Sequence, residues 1–119
     1  RRQRQMCIRD RNMVFNTGAA LLDAIVLAVV SREAEGTYGY KITQDVRGAI
    51  DVSESTLYPV LRRLQKDGCL VVYDRQFDGR NRRYYKVTER GRDQLEIYRT
   101  EWKEYSLKIS NLFEGGVIA

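Results

Sequence analysis

Between Ser53 and Gly68 the chain sets Ser55, Thr56, Tyr58, Arg62, Arg63 and Lys66 among apolar residues spaced so that the two kinds separate onto opposite sides. Short hydroxyl donors at one end and cations further along are the groups that read base edges and hold phosphates. The chemistry on offer is recognition of a polyanion rather than bond making. The composition agrees. No histidine occurs in the 119 residues, which removes the commonest general base and every Ser-His-Asp or Cys-His arrangement. The two cysteines, Cys7 and Cys69, form no metal motif, and Cys69 reads as a small buried apolar residue. Gly36-Thr-Tyr-Gly39 is too short for a phosphate loop and lacks the downstream lysine. Glu33 and Glu35 fall in a polar turn, where solvated carboxylates are the default. The expectation is a protein that is not an enzyme, with no cofactor and no metal.

The element that must present those donors is a helix. Ser53 can cap its N-terminus by accepting from a first-turn amide. Gly68 suits the left-handed position just past its last turn. Leu57, Leu61 and Leu64, with Val60 beside them, recur at helical spacing and face a core. Pro59 breaks the local rule in the second turn, where it deletes a backbone hydrogen bond and crowds the Ser55 carbonyl, at about 3 kcal/mol in an ordinary helix interior. It reads either as a tolerated kink on an exposed face or as a helix start bent to fit a groove.

The net charge of +5 is unevenly spread. Residues 1–11 hold five arginines against Asp10, and residues 75–92 hold seven cations against Asp78 and Glu89. The remaining residues are net acidic. Localised positive charge is the footprint of a nucleic-acid contact. Met6-Cys-Ile-Arg-Asp-Arg11 looks like a translated adapter remnant, so residues 1–12 are expected to be a non-native or disordered basic tail; the alternative is a natural basic arm that grips phosphate. No apolar run reaches the roughly 20 residues needed to span a bilayer, and no secretory signal pattern is visible. A cytoplasmic protein is expected.

The remaining elements follow from periodicity and turn signals. Asn16 or Thr17 can cap a first helix running to about Ser31, apolar nearly all round at Leu21, Leu22, Ile25, Val26, Val29 and Val30. Asp23 is its exception: a first-turn acid favoured by the helix dipole, or a group pointing into a shared cavity. Tyr38 to Arg47 reads as a second, short helix with Ile42 and Val46 inward. Together with the Ser53 helix it makes a helix-turn-helix, the second helix being the reader. Leu70-Val-Val-Tyr73 and Arg82-Arg-Tyr-Tyr-Lys-Val87 then read as a β-hairpin about a turn at Asp78-Gly-Arg-Asn81. A tip bearing Arg80, Arg82 and Arg83 is either a wing for phosphate or minor groove or a charged edge that prevents sheet aggregation.

Thr88 can cap a last helix of about 25 residues, roughly 37 Å long. Along it Leu95, Tyr98, Trp102, Tyr105, Ile109 and Leu112 keep steps of four and three, a heptad seam. Burying six such side chains contributes on the order of 10 kcal/mol gross, so a homodimer is expected. Leu21 and Leu22 are placed at the same interface. The aromatic seam leaves room for a flat ligand.

Taken together, the chain resembles the PadR family of transcriptional regulators. The carrying residues are Tyr38-Gly-Tyr40, Ser55-Thr-Leu-Tyr-Pro59, Leu61-Arg-Arg-Leu64, Lys66-Asp-Gly68, Arg82-Arg-Tyr-Tyr85 and Thr88-Glu-Arg-Gly91, and the match covers about residues 17–113. The last helix is similar to that of the compact subfamily. The resemblance implies a mainly α fold with a small β-hairpin: a winged helix-turn-helix over residues 13–87 and a C-terminal dimerisation helix with a short tail over 88–119. It implies a repressor that binds double-stranded DNA at an inverted-repeat operator. Tyr38, Ser53, Ser55, Thr56, Tyr58, Pro59, Arg62, Arg63, Lys66, Arg80, Arg82 and Arg83 are the expected DNA-binding residues. In the multidrug-sensing branch a tryptophan in the last helix stacks on planar aromatic ligands at the dimer centre. Trp102 matches it, Asp23 matches a polar pore-lining position, and Ala20 lies beside it in the expected ligand site. Arg99 departs from that branch, which has an aromatic residue there, so a cation would narrow or polarise the pore. The alternative is a winged-helix adaptor for other proteins without sequence-specific DNA binding.

Overall fold

A computed structural model of the chain describes residues 18–115. The basic tail of residues 1–12 and the expected caps Asn16 and Thr17 lie outside these residues. The elements run α1 (Gly18–Ser31), β1 (Thr37–Tyr38), α2 (Gly39–Arg47), α3 (Glu54–Lys66), β2 (Leu70–Phe77), β3 (Arg80–Val87) and α4 (Glu89–Phe113).

Both ends of α3 form as its sequence requires. Ser53 Oγ accepts from the Thr56 amide at 3.3 Å. At the other end the Cys69 amide donates to the Leu64 carbonyl at 2.9 Å and the Gly68 amide to Gln65 at 3.0 Å. Gly68 takes φ +85°, so these paired bonds close a Schellman motif. Leu57, Val60, Leu61 and Leu64 are buried. Pro59 is exposed and the helix runs through it; on that side solvent can satisfy the Ser55 carbonyl that has lost its partner.

The sheet has three strands, not two, in the order β1-β3-β2, all antiparallel. Thr37 pairs with Tyr85 and Tyr38 with Tyr84. Tyr38 is therefore not in the first turn of α2 but precedes it with extended backbone. A two-residue strand is too short to carry a period-two signal, and its partner lies far along the chain. The hairpin is also tighter and longer than its sequence suggests. Only Asp78 (φ 56°) and Gly79 (φ 80°) form the loop, both left-handed as a type I′ turn demands. Arg80 and Asn81 belong to β3, opposite Phe77 and Gln76.

The core lies where α1, α2, α3 and the start of α4 meet the inner face of the sheet. Val26, Leu27, Val30, Ile42, Val46, Leu61 and Leu64 are among its most deeply buried members, with Cys69 as the small apolar filler expected. Fully burying each such Leu or Ile contributes about 1.5–3 kcal/mol. Thr88 Oγ1 joins two helix ends: it accepts from the Gly91 amide at 3.0 Å and donates to the Gly68 carbonyl at 2.6 Å.

The heptad seam of α4 divides in two. Leu95 and Tyr98 are buried against their own chain, packed with the α1 side chains. Trp102, Tyr105 and Leu112 are exposed, as are Leu107 and Phe113 nearby. Only the first turns of α4 have a body beside them, so the expectation of one continuous interprotomer seam does not hold for Leu95 and Tyr98. Leu22 likewise packs against the protomer core. No helix among the described residues is long and apolar enough to cross a membrane.

Candidate nucleic-acid interface

The polar side of α3 stands free of the core, as its two-faced sequence demands. At its N-terminus the Ser53 hydroxyl lies 2.9 Å from that of Ser55 and 3.1 Å from that of Thr56. Three exposed hydroxyls are thus gathered where the helix dipole is positive. Glu54, an exposed acid in the same turn, complements that dipole.

One turn further on, a groove opens between α3 and the wing. Tyr58, Arg62 and Gln65 line it from α3, Asn81, Arg82, Arg83 and Tyr85 from β3, Tyr38 from the end of β1, and Gly39 and Tyr40 from the start of α2. Three arginines and four tyrosines face it, and no carboxylate does. The Tyr58 ring fills the space over Gly39: a Cβ there would stand 3.0 Å from its hydroxyl oxygen. Burial raises the Tyr58 phenol above its ordinary value, with Glu54 and Tyr85 adding to the effect. The hydroxyl stays protonated at neutral pH and can donate.

Successive strand residues face opposite sides of a sheet, so the two central wing arginines differ. Arg83 is exposed. Arg82 is half-buried, its guanidinium carbon 4.0 Å from the ring centre of Tyr38 and 4.0 Å from that of Phe77. Arg80 is exposed beside the turn, and Lys66 is exposed in the last turn of α3.

Arg63 is engaged differently from its expected phosphate contact. Its guanidinium pairs with the Asp23 carboxylate of α1 through two nitrogens, one of them Nε at 3.4 Å. Burial pushes the Asp23 carboxyl above its ordinary value, while Arg63 opposes that shift. The Arg63 guanidinium is held more firmly protonated by the same hydrogen bond. Asp23 thus braces α1 against α3. It does not line the apolar groove beside Trp102, because one helix cannot turn the same side chain to α3 and to α4.

That second groove lies between α1 and α4, with a volume of about 360 Å³. Leu21, Ala24, Ile25 and Ala28 form one wall, and Leu95, Tyr98, Arg99 and Trp102 the other. Each set follows the helical i, i+3, i+4, i+7 pattern. Arg99 also pairs with Glu96 along its own helix, so its charge is partly answered. Of the four expected ligand residues, Trp102 and Arg99 line this groove, whereas Asp23 and Ala20 do not.

A family model described as the transcriptional regulator PadR-like family matches residues 26–97. The chain belongs to this family. The PadR-family assignment makes it a transcriptional regulator and not an enzyme. Transcriptional regulator Rv3488 of Mycobacterium tuberculosis is 38% identical over 88 residues, covering 72% of this chain and 82% of that protein. The crystal structure of smu.1704 from Streptococcus mutans UA159 superposes with a TM-score of 0.77 at 36% identity, covering 86% of this chain and 94% of that one. The PadR-like transcriptional regulator BC4206 from Bacillus cereus gives 0.70 at 30% identity, covering 86% and 96%.

In this PadR-family chain, sequence reasoning did not single out Tyr40, Gln65 or Asn81 as groove residues. Tyr40 is 60% exposed at the start of α2. Its one available signal is a large aromatic on the outward side of a short amphipathic helix. Gln65 and Asn81 carry no local signal, since their relevance depends on the wing folding back beside α3.

Proposed function

We propose that the chain is a homodimeric DNA-binding repressor that recognises an inverted-repeat operator. The observation that carries this reading is the carboxylate-free groove between α3 and the wing, with arginines on both walls. A groove of that charge favours a phosphate backbone running between the two elements. The hydroxyls of Ser53, Ser55 and Thr56 and the ring of Tyr58 would then reach base edges from the N-terminal part of α3, as reading helices do. Arg62, Lys66, Arg80 and Arg83 would hold the flanking phosphates. Two such heads about 34 Å apart meet successive major grooves. The repressor role and the paired operator follow from the family resemblance.

Tyr58→Ala tests the reading role. It is expected to weaken binding to the operator by roughly tenfold or more, in line with about 1–3 kcal/mol for a base-reading contact, while affinity for random duplex changes little. Titration of both duplexes at one salt concentration measures this. Equal losses on both would place Tyr58 on the backbone only.

The apolar groove beside Trp102 is proposed as the effector site, suited to a planar aromatic molecule. An effector there changes DNA affinity only by favouring one spacing of the two heads over another. Because the chain has one tryptophan, quenching of its fluorescence by planar aromatic cations is the expected result. No quenching across a broad panel would leave a regulator without this kind of ligand.

A further inference from the structure

We propose that Arg82 is a positioning residue that clamps the wing at its working angle to the helix-turn-helix, and that its neighbour Arg83 carries the phosphate contact. This rests on the DNA-binding reading above and divides the labour within that site.

The geometry of Arg82 is unusual for a DNA-facing cation. Its guanidinium carbon stands over two rings at once, Tyr38 and Phe77, each centred 4.0 Å from Cζ. These rings come from different elements. Phe77 is the last residue of β2 before the wing turn, and Tyr38 ends β1 where α2 begins. One side chain of β3 therefore ties the wing tip to the start of the helix-turn-helix. The tie is placed where the backbone gives no help. β1 pairs with β3 only at Tyr84 and Tyr85, so residues 80–83 extend beyond that pairing.

The stack continues inward. Tyr38 packs edge-on to Tyr84 at 5.6 Å, Tyr84 stacks on Tyr73 at 5.7 Å, and Arg75 sits 4.8 Å over Tyr84. Arg75 and Arg82 are direct cross-strand partners, a placement that would repel if both charges stood bare. Giving each its own aromatic face turns that repulsion into an ordered ladder. The wing is thereby stiffened before DNA arrives, which lowers the ordering cost of binding. A lysine has no planar group to lay against either ring, so the arrangement favours arginine and not simply a positive charge.

The test compares charge-preserving and charge-removing variants on a duplex that the wild-type chain selects from a randomised pool. Arg82→Lys keeps the charge and loses the plane. It is expected to weaken binding to the selected duplex roughly tenfold, the scale of a partly shielded cation–π stack. Random duplex should lose affinity to a similar extent, because the wing contact being positioned is to phosphate, whereas the slope of log affinity against log salt should be unchanged. Phe77→Leu alters no charge and should reproduce the same loss. Arg83→Gln should instead reduce the salt slope by about one and weaken all duplexes alike. Hydrogen exchange on the free protein adds a readout independent of DNA, with amides of residues 77–83 exchanging faster in Arg82→Lys than in wild type. Wild-type affinity in Arg82→Lys, or no loss in Phe77→Leu, would overturn the proposal. A wild-type chain that enriches no duplex would refute the DNA reading itself, and the exchange comparison would still decide whether the stack holds the wing.

Discussion

Gly91→Ala is expected to lower the melting temperature by roughly 10 °C, for a loss of about 2–3 kcal/mol in a chain of this size. Gly91 sits in the first turn of α4, where the helix crosses the start of β2. A Cβ there would overlap the Cys69 carbonyl oxygen and stand 2.9 Å from Val87 Cγ1. The obstacle is backbone, and it is held in place. The Cys69 carbonyl accepts from the Thr88 amide at 3.0 Å, and Thr88 in turn is tied to Gly68. Relieving the overlap therefore means breaking the bond that anchors the start of α4. Alanine is a better helix former than glycine by up to about 1 kcal/mol, which offsets only part of the cost. Thermal unfolding followed by circular dichroism measures the shift. A variant as stable as wild type would mean that α4 slides freely on the sheet and is not locked at this close crossing.

The double substitution Tyr105→Glu with Leu112→Glu is expected to convert the proposed dimer to monomers and to lower affinity for its proposed operator by at least a hundredfold. Trp102, Tyr105, Leu107, Leu112 and Phe113 are all exposed along the second half of α4. Of these, Trp102, Tyr105, Leu112 and Phe113 fall within one side of the helix at about 100° per residue, and an apolar stripe of that kind is the expected surface for a partner. Covering them in two copies contributes on the order of 10 kcal/mol gross, enough to overcome the cost of association at micromolar concentration only if the seam packs well. Two glutamates per protomer would bury four unpaired carboxylates, each costing several kcal/mol. Each head would then bind DNA alone and lose the gain of about 10² or more that linkage confers. Sedimentation velocity and operator titration give the two readouts. A wild-type chain that sediments as a monomer at micromolar concentration would refute the dimer, and double-variant dimers would place the interface elsewhere.

The parts of the fold that the sequence revealed are those whose cause is local. Ser53, Leu57, Leu61, Leu64 and Gly68 lie within sixteen consecutive residues, and cap, apolar stripe and Schellman glycine act through neighbours one to five positions apart. The α4 helix was legible for the same reason, from Thr88 at its cap to the long run of heptad spacing. What escaped was set by distant pairing. β1 exists because Thr37 and Tyr38 meet Tyr85 and Tyr84, and two residues are too few to announce a strand.

The candidate site divides along the same line. Residue types alone pointed to hydroxyls and cations for a polyanion, and to the wing as a second cationic element. They could not tell Arg82 from Arg83, or Arg62 from Arg63, although each pair is adjacent and chemically identical. Strand alternation sends Arg82 over two rings and leaves Arg83 exposed. A helical step of about 100° leaves Arg62 in the basic groove and Arg63 on Asp23 of α1. Local order, caps and the chemistry on offer are properties of neighbours in the chain, and these can be read from neighbours. Which cation faces the solvent and which is held by the protein depends on what folds against it, and those partners come from distant parts of the chain.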